Sequence, residues 1–363
     1  MNQLEVDRIR RQAAGDDARR KMVGLWLLTL AGMILVNVVL GGLTRLTGSG
    51  LSMVEWGPLT VLPPLSDAAW AETFAKYQQS PQFLLVNEHM DLAGFKGIFW
   101  LEYVHRVWGR LLGLAFLIPF LIFIRRKAIT MAEAPWFVLL LALGGSQGLL
   151  GWIMVASGLK DRPEVSHYFL AAHLFAALLL YAALLWTGLD RLPKPEARPL
   201  NKGLRSAKRH LRIILILLCV TIPVGALVAG LHAGLVWNSF PLMGDSLVAP
   251  DAFDLSPAWL NFLANPALVQ FDHRVLALFT WTTAMGLTPA LFRKQMIPAS
   301  LRLKIGLVIL LANAQVALGI STLLLFVPIP LAAAHQLCAF LLFGATLWAF
   351  HRIRLVIMTE RSH

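Results

Sequence analysis

Residues 99–123 read FWLEYVHRVWGRLLGLAFLIPFLIF, and residues 267–291 read ALVQFDHRVLALFTWTTAMGLTPAL. Each stretch is long and apolar enough to cross a bilayer as one helix, which takes ~20 residues. Each also carries a His-Arg pair at the same distance from its first residue. The two stretches therefore predict a membrane protein that contains an internal repeat.

The rest of the chain supplies six further apolar runs of spanning length. Of the 363 residues, 57% are hydrophobic and 14% are charged, which is unlike an ordinary soluble domain. The further runs are 23–43, 135–156, 167–189, 211–230, 304–326 and 330–351. The predicted fold class is an all-α integral membrane protein with eight transmembrane helices.

The repeat extends beyond the two His-Arg segments. Gln147 and Gly151 match Gln315 and Gly319 at the spacing that relates the quoted stretches, and Ala-Ala-His at 171–173 matches Ala-Ala-His at 333–335. Each unit holds four spans, so both units enter the membrane in the same direction. We therefore expect two tandem four-helix bundles related by a pseudo-twofold axis along the membrane normal.

The repeat divides the chain into five parts. The N-terminal bundle takes 23–189, the C-terminal bundle takes 211–352, and a basic cytoplasmic linker at 190–210 joins them. Cytoplasmic tails at 1–22 and 353–363 complete the chain.

The distribution of basic residues predicts the orientation. A net charge of +12 would raise nucleic acid as a partner for a soluble protein, but here Lys and Arg form short clusters between apolar runs. Nearly all of those outside the spans fall on one side, and by the positive-inside rule this side is cytoplasmic and holds both termini. The N-terminal segment contains acidic residues and no short apolar signal core, which favours a bacterial inner membrane. The long loops 44–98 and 231–266 are then extracytoplasmic.

Four of the ten histidines lie inside predicted spans at one common depth. They are His105, His173, His273 and His335, two in each half. A single intramembrane histidine is often only a hydrogen-bond partner between helices, but a repeated pair argues against that interpretation. We interpret His167 as the start of a span and expect the others to be solvated or interfacial: His89, His210, His232, His351 and His363.

Paired imidazoles in a helical bundle are typical haem ligands. We therefore expect one haem site at His105 and His173 and another at His273 and His335. A carboxylate di-metal centre would need more acidic residues at that depth than Glu102 and Asp272.

The two halves differ at one ionisable position. Glu102 precedes His105 by three residues and shares its helical face, whereas the matching position before His273 is Gln270. An ionisable residue at this depth is a functional candidate. Pairing with Arg106 or Arg110 at the membrane edge is the structural alternative. The asymmetry predicts chemistry at the first site and a permanent electron-relaying haem at the second.

Neighbouring polar residues are open to two interpretations. Arg106 and Arg274 either extend to the interface or pair with haem propionates. Gln147 and Gln315 either join helices or line the pocket.

Several segments taken together resemble the haem A synthases, in the branch shared by mitochondria and many proteobacteria. They are EYVHRVWGRLLGL (102–114), GGLTRLTGSGLSMVEWGP (41–58), WNSFPLMGD (237–245), FDHR (271–274) and AAAHQL (332–337). The resemblance covers residues 23 to 352. Two departures occur: the loop cysteine pair of another branch is absent, and His232 stands where a carboxylate or Arg is expected.

The resemblance implies oxidation of the C8 methyl group of haem O to a formyl group, through a hydroxymethyl stage, to give haem A for aa3-type oxidases. It implies that His273 and His335 ligate a haem b, that His105 and His173 ligate the substrate haem, and that Glu102 is catalytic. Haem O synthase is the expected donor, and the electron acceptor is unidentified. Contact with lipid is expected, nucleic acid is not, and a homo-oligomer is left open.

Two other functions remain in competition. A di-haem membrane electron carrier of the cytochrome b type would hold both haems permanently, and it would need no carboxyl group at one of them. A repeat-built transporter is disfavoured because no pair of Gly/Pro-broken helices places polar side chains at mid-membrane.

Overall fold

The computed structural model describes residues 3–55, 57, 62–159, 163–195, 199–293 and 295–358. Within these ranges it contains α-helices, short 3₁₀ turns and no β-strand. The α-helices are α1 (Gln3–Leu46), α2 (Asp67–Tyr77), α3 (Pro81–Leu85), α4 (Leu92–Arg125), α5 (Ala134–Gly158), α6 (His167–Asp190), α7 (Lys202–Gly230), α8 (Asn261–Ala264), α9 (Pro266–Met285), α10 (Thr288–Phe292), α11 (Ala299–Leu324) and α12 (Ile329–Met358).

Eight segments among the described residues are long and apolar enough to span a membrane. They are α1 from Ala14 onward, α4, α5, α6, α7, the α9–α10 pair, α11 and α12. Each coincides with one predicted apolar run. The prediction of an all-α, multi-pass membrane protein with eight spans is confirmed.

Several helices continue past the predicted spans. Helix α1 begins at Gln3 inside the expected tail 1–22, α7 begins at Lys202 inside the expected linker, and α12 runs to Met358. The added residues are rich in Arg, Lys, Ala and Leu, which are strong helix formers in water as well as in lipid. A hydropathy boundary therefore marks the limit of the apolar segment and not the end of the helix. The last residues of the expected tail 353–363, from 359 on, lie outside the described residues.

Helix α4 is the clearest case of an extended helix. Its N-cap Asp91 accepts a hydrogen bond from the Gly94 N–H at 2.8 Å, and the helix runs for 34 residues. At ~1.5 Å per residue this is about 51 Å, well beyond a hydrocarbon core of ~30 Å. Its first turns pack on α2, where the Tyr77 and Phe95 rings stack at 5.0 Å between centroids.

The spanning helices form two rings of four. In the first half, α1 contacts α4, α4 contacts α5, α5 contacts α6, and α6 returns to α1. In the second half, α7, α9, α11 and α12 follow the same order. The halves meet through α1 and α6 on one side and α7 and α12 on the other. The symmetry axis and the domain bounds remain predictions.

Polar side chains join the halves at both ends of the bundle. We call the end that carries 47–91 and 231–265 the loop end, and the other the terminal end. At the loop end, His232 Nε2 lies 3.1 Å from Arg45 Nη2 and 3.0 Å from Glu164 Oε1. At the terminal end, His351 Nε2 lies 2.7 Å from Asp190 Oδ1.

The expectation of a solvated or interfacial His351 was wrong. Its side chain is fully buried, and its ring meets the Trp186 ring edge-on at 4.8 Å between centroids. The basic sequence around it suggested solvent, but α12 turns this position toward α6. His89 is exposed as expected, whereas His363 lies outside the described residues.

Candidate haem sites

The second half brings its two intramembrane histidines together. His273 is carried by α9 and His335 by α12, which are the second and fourth spans of that half. The two imidazole ring centroids lie 6.4 Å apart, and the ring planes make an angle of 77°. In the first half, His105 on α4 and His173 on α6 lie close enough for electrostatic interaction.

The geometry of the second pair fits two axial ligands of one iron. A metal–imidazole bond of about 2.0 Å on each side places two ring centroids on the order of 6 Å apart. In the first half, the Nδ1 atom of His173 is buried and has no hydrogen-bond partner. Unpaired buried polar atoms call for a functional explanation.

A metal ion without a macrocycle fits poorly. Among the described residues, no group of three or more His, Cys, Asp or Glu side chains could hold one. A haem needs only the two axial nitrogens from the protein. The donor set therefore suits haem at both pairs.

Glu102 is held by a dense set of donors. Its side chain is 3% exposed, and Oε2 accepts from Ser52 Oγ at 2.6 Å and from the Met53 N–H at 2.9 Å. Oε1 accepts from Arg106 Nε at 3.0 Å and from Arg106 Nη2. Arg106 Nη2 also donates to the Met53 carbonyl at 3.0 Å. The Glu102–Arg106 pair thus fastens the segment after α1 to α4, which is the structural alternative considered above.

In the second half, the neutral side chain of Gln270 joins the loop after α7 to α9. Its Nε2 donates to the Ala233 carbonyl at 2.7 Å, and its Oε1 accepts from Arg274 Nη2 at 2.9 Å. Arg274 Nη2 also donates to the Trp237 carbonyl at 2.8 Å. The loop after α7 is therefore fastened to α9 as the segment after α1 is fastened to α4. The two positions differ in charge and in hydrogen-bond direction, because Glu102 accepts from its loop whereas Gln270 donates to its loop.

One of the two intramembrane glutamines, Gln315, lies beside a histidine. Gln315 Nε2 is 3.3 Å from His335 Nε2, and the Oε1 atoms of Gln147 and Gln315 are both buried without a hydrogen-bond partner. Gln315 therefore joins α11 to α12 and also lies beside the histidine of the second site.

Helix α1 lies between the two histidine pairs. A Cβ atom at Gly41 would meet the His105 ring, and one at Gly42 would meet the Gln336 side chain next to His335. Sequence reasoning assigned no role to Gly41. The available signal was a Gly-Gly pair inside an apolar helix, where glycine usually marks close packing.

Comparisons with known proteins cover nearly the whole chain. A family model described as Cytochrome oxidase assembly protein, COX15-CtaA, matches residues 24–347. A protein of Nitrosospira multiformis named Heme A synthase is 45% identical over 340 residues, which cover 93% of this chain and 95% of that protein. Heme A synthase of Rhodospirillum centenum is 46% identical, with 93% and 90% covered. Heme A synthase COX15 of Homo sapiens is 44% identical, with 93% and 84% covered. This chain belongs to the COX15-CtaA family of cytochrome oxidase assembly proteins.

Proposed function

We propose that this chain is a haem A synthase that oxidises the C8 methyl group of haem O to a formyl group through a hydroxymethyl stage. The observation that carries the proposal is the asymmetry of two equivalent sites: only the first has a buried carboxylate three residues before its histidine. The relatives named Heme A synthase support the same conclusion. An electron carrier with two permanent haems gives no reason for that charge.

The two sites take different roles in this proposal. His105 and His173 hold the iron of the substrate haem, and His273 and His335 hold a permanent haem b. When bound, haem b supplies one-electron transfer. The electrons released from the substrate go to an external acceptor that the proposal leaves unidentified.

The proposed reaction balances with water as the oxygen source. Converting one methyl group and one water to a formyl group releases four electrons and four protons, half at each of the two stages. An iron held by both His105 and His173 has no open coordination position, so it acts as an electron sink. In the alternative route, one of the two histidines leaves the iron and oxygen gas binds there. The formyl oxygen would then come from oxygen gas and not from water.

Glu102 stabilises the positive charge that develops as electrons leave the substrate, or it takes a released proton. Ser52 Oγ, the Met53 N–H and the Arg106 guanidinium direct four hydrogen bonds at this carboxyl group and hold it in place beside the first site. Isotopic labelling of the formyl oxygen, under conditions that prevent later exchange, tests the electron-withdrawal route. Label arriving only from oxygen gas would exclude it.

The cellular setting follows from the charge pattern. We propose the bacterial inner membrane, with both termini cytoplasmic and the histidine pairs toward the extracytoplasmic side. Haem O synthase is then the donor of substrate, and the farnesyl tail of haem O calls for an opening to lipid.

Pigment extraction and mass analysis test the proposal directly. Wild type and Glu102→Ala are each expressed beside a haem O synthase in a host that makes no haem A. We expect haem A in the wild type and haem O or its hydroxylated form in the variant. If both carried only unmodified haem b, the electron-carrier function would replace the proposal.

A further inference from the structure

Both histidines of the second site lie against a glycine of a neighbouring helix. A Cβ atom placed on Gly225 of α7 would lie 2.8 Å from Cε1 of His273. A Cβ atom on Gly319 of α11 would lie 2.8 Å from Cε1 of His335. No real methyl group tolerates this approach, so alanine at either position would force the imidazole to move.

The first half repeats the arrangement with looser contacts. A Cβ atom on Gly41 of α1 would lie 3.1 Å from Nε2 of His105, and one on Gly151 of α5 would lie 3.5 Å from Cε1 of His173. In each half, then, the first and third spans supply a glycine and the second and fourth supply a histidine. The tight contacts belong to the proposed permanent haem, and the looser ones to the haem that must enter and leave.

Helix composition does not explain these glycines. A Cβ atom on Gly306, in the same helix as Gly319, would meet only Leu291 at 3.8 Å, and one on Gly148, in the same helix as Gly151, would meet nothing within 4 Å. Glycine is a weaker helix former than alanine. Gly225 and Gly319 differ from these neighbours because a Cβ atom on either one would enter the space that an imidazole occupies.

We infer that Gly225 and Gly319 are positioning residues that hold the His273 and His335 rings nearly perpendicular as axial ligands. The inference rests on the proposed haem b site. The Cε1 atom of each ring lies close to a glycine of a neighbouring helix, so this contact limits rotation of the imidazole and keeps the 77° between the planes. The relative orientation of two axial imidazoles sets the splitting of the iron d orbitals, and thereby the magnetic signature and the redox potential of the haem.

The test uses four alanine variants of the full chain purified with its resident haem. Gly225→Ala and Gly319→Ala remove the space beneath a ring, and Gly306→Ala and Gly148→Ala are matched controls in spanning helices. Low-temperature electron paramagnetic resonance of the ferric haem and a redox titration are the readouts. We expect the wild type and controls to show the strongly anisotropic low-spin signal of crossed imidazoles. Both test variants should shift it toward the rhombic signal of parallel rings, with a changed midpoint potential.

If Gly225→Ala yields too little protein for spectroscopy, the amount of protein that accumulates in the membrane is measured instead. Gly225→Ala is then combined with His273→Ala, which removes the ring that the new methyl group would strike. Accumulation equal to that of His273→Ala alone supports the inference, because the cost then arises from the imidazole. Continued loss of the double variant overturns it, because the glycine would then serve helix packing.

The outcomes separate the two proposals. An unchanged signal and potential in Gly225→Ala and Gly319→Ala, beside a wild type with two axial imidazoles, overturns the glycine inference alone. A wild type without a two-histidine haem signal overturns the haem b assignment, and the inference with it.

Discussion

Glu102 and Gln270 occupy equivalent positions and fasten equivalent loops. Each accepts from the arginine four residues later, Arg106 or Arg274, and each pairs with backbone of the segment after the first span of its half. The second half therefore shows the same position with a neutral side chain. Comparing variants at Glu102 and Gln270 can distinguish an effect of the negative charge from an effect of anchoring the loop.

Exchanging these two residues is the sharpest test at this scale. Glu102→Gln removes the charge and leaves one acceptor oxygen in place of two, so it should keep part of the loop anchor. It should slow haem A formation on the order of 10²-fold. Gln270→Glu should leave haem A formation within a few-fold of wild type. The rate of haem A formation, measured at equal haem b content, checks both. Equal rates in Glu102→Gln and wild type would show that the residue acts only as an anchor.

At the scale of helices, α5 and α6 are joined at the terminal end by Glu133 and Arg191. Arg191 Nη2 donates to Glu133 Oε1 at 2.7 Å, and Thr130 donates through its N–H and its hydroxyl to Oε2, both at 2.9 Å. Burial by itself would raise the pKa of Glu133, but these donors and the Arg191 charge outweigh it, and the pKa lies below its ordinary value of 4.5.

This contact predicts a pH-dependent contribution to stability. A carboxyl group whose pKa is lower in the folded state stabilises the fold above its unfolded pKa, and the contribution is lost as pH falls through the folded value. Glu133→Gln should therefore lower the Tm by about 1–2 °C at pH 7, because the pair is partly exposed. The difference should shrink below pH 4.5. Thermal unfolding in detergent across that range measures it, and a constant difference would contradict the ion pair.

Helices α1 and α6 cross where Gly24 of α1 meets Gly188 of α6. A Cβ atom on Gly188 would lie 3.0 Å from the Leu28 side chain and 3.1 Å from the Gly24 carbonyl, whereas one on Gly32 would meet nothing within 4 Å. Small residues let spanning helices approach closely.

Alanine should therefore have opposite effects at two positions of this helix pair. Gly188→Ala should destabilise the fold by about 1–3 kcal/mol through overpacking. Gly32→Ala should be neutral or slightly stabilising because alanine is the better helix former. Denaturation monitored by intrinsic fluorescence compares the two. Equal stabilities would mean that α1 and α6 are not in close contact.

At the scale of the molecule, the two four-helix rings share one interface, and the proposed topology has both rings enter the membrane in the same direction. Both native cysteines, Cys219 and Cys338, lie inside spans, so introduced cysteines can report the orientation. Asp254→Cys at the loop end should react with a membrane-impermeant maleimide in intact spheroplasts, whereas Arg205→Cys at the terminal end should react only after lysis. The unsubstituted chain measures the background, and the reverse pattern would invert the proposed topology.

The number of spanning helices could be predicted from sequence because spanning length and hydropathy are properties of consecutive residues. The same holds for the repeat, in which His105 and His273 recur with the same neighbours. Helix ends were less predictable, since helical hydrogen bonding continues where the apolar run stops, as at Gln3 and Lys202.

The sequence alone determined eight spans, two halves, a histidine pair in each half, and one carboxyl group, Glu102, that has no counterpart in the second half. All of these signals are carried by residue identity and spacing along the chain. Only the tertiary structure decided which atoms these residues meet. In the structure, Arg106, Ser52 and Met53 donate hydrogen bonds to Glu102, and His351 is buried against Asp190. Glycines of neighbouring helices lie close to the imidazole rings. Such contacts depend on which faces of distant helices come together, and the rotation of a helix about its own axis leaves almost no trace in local hydropathy.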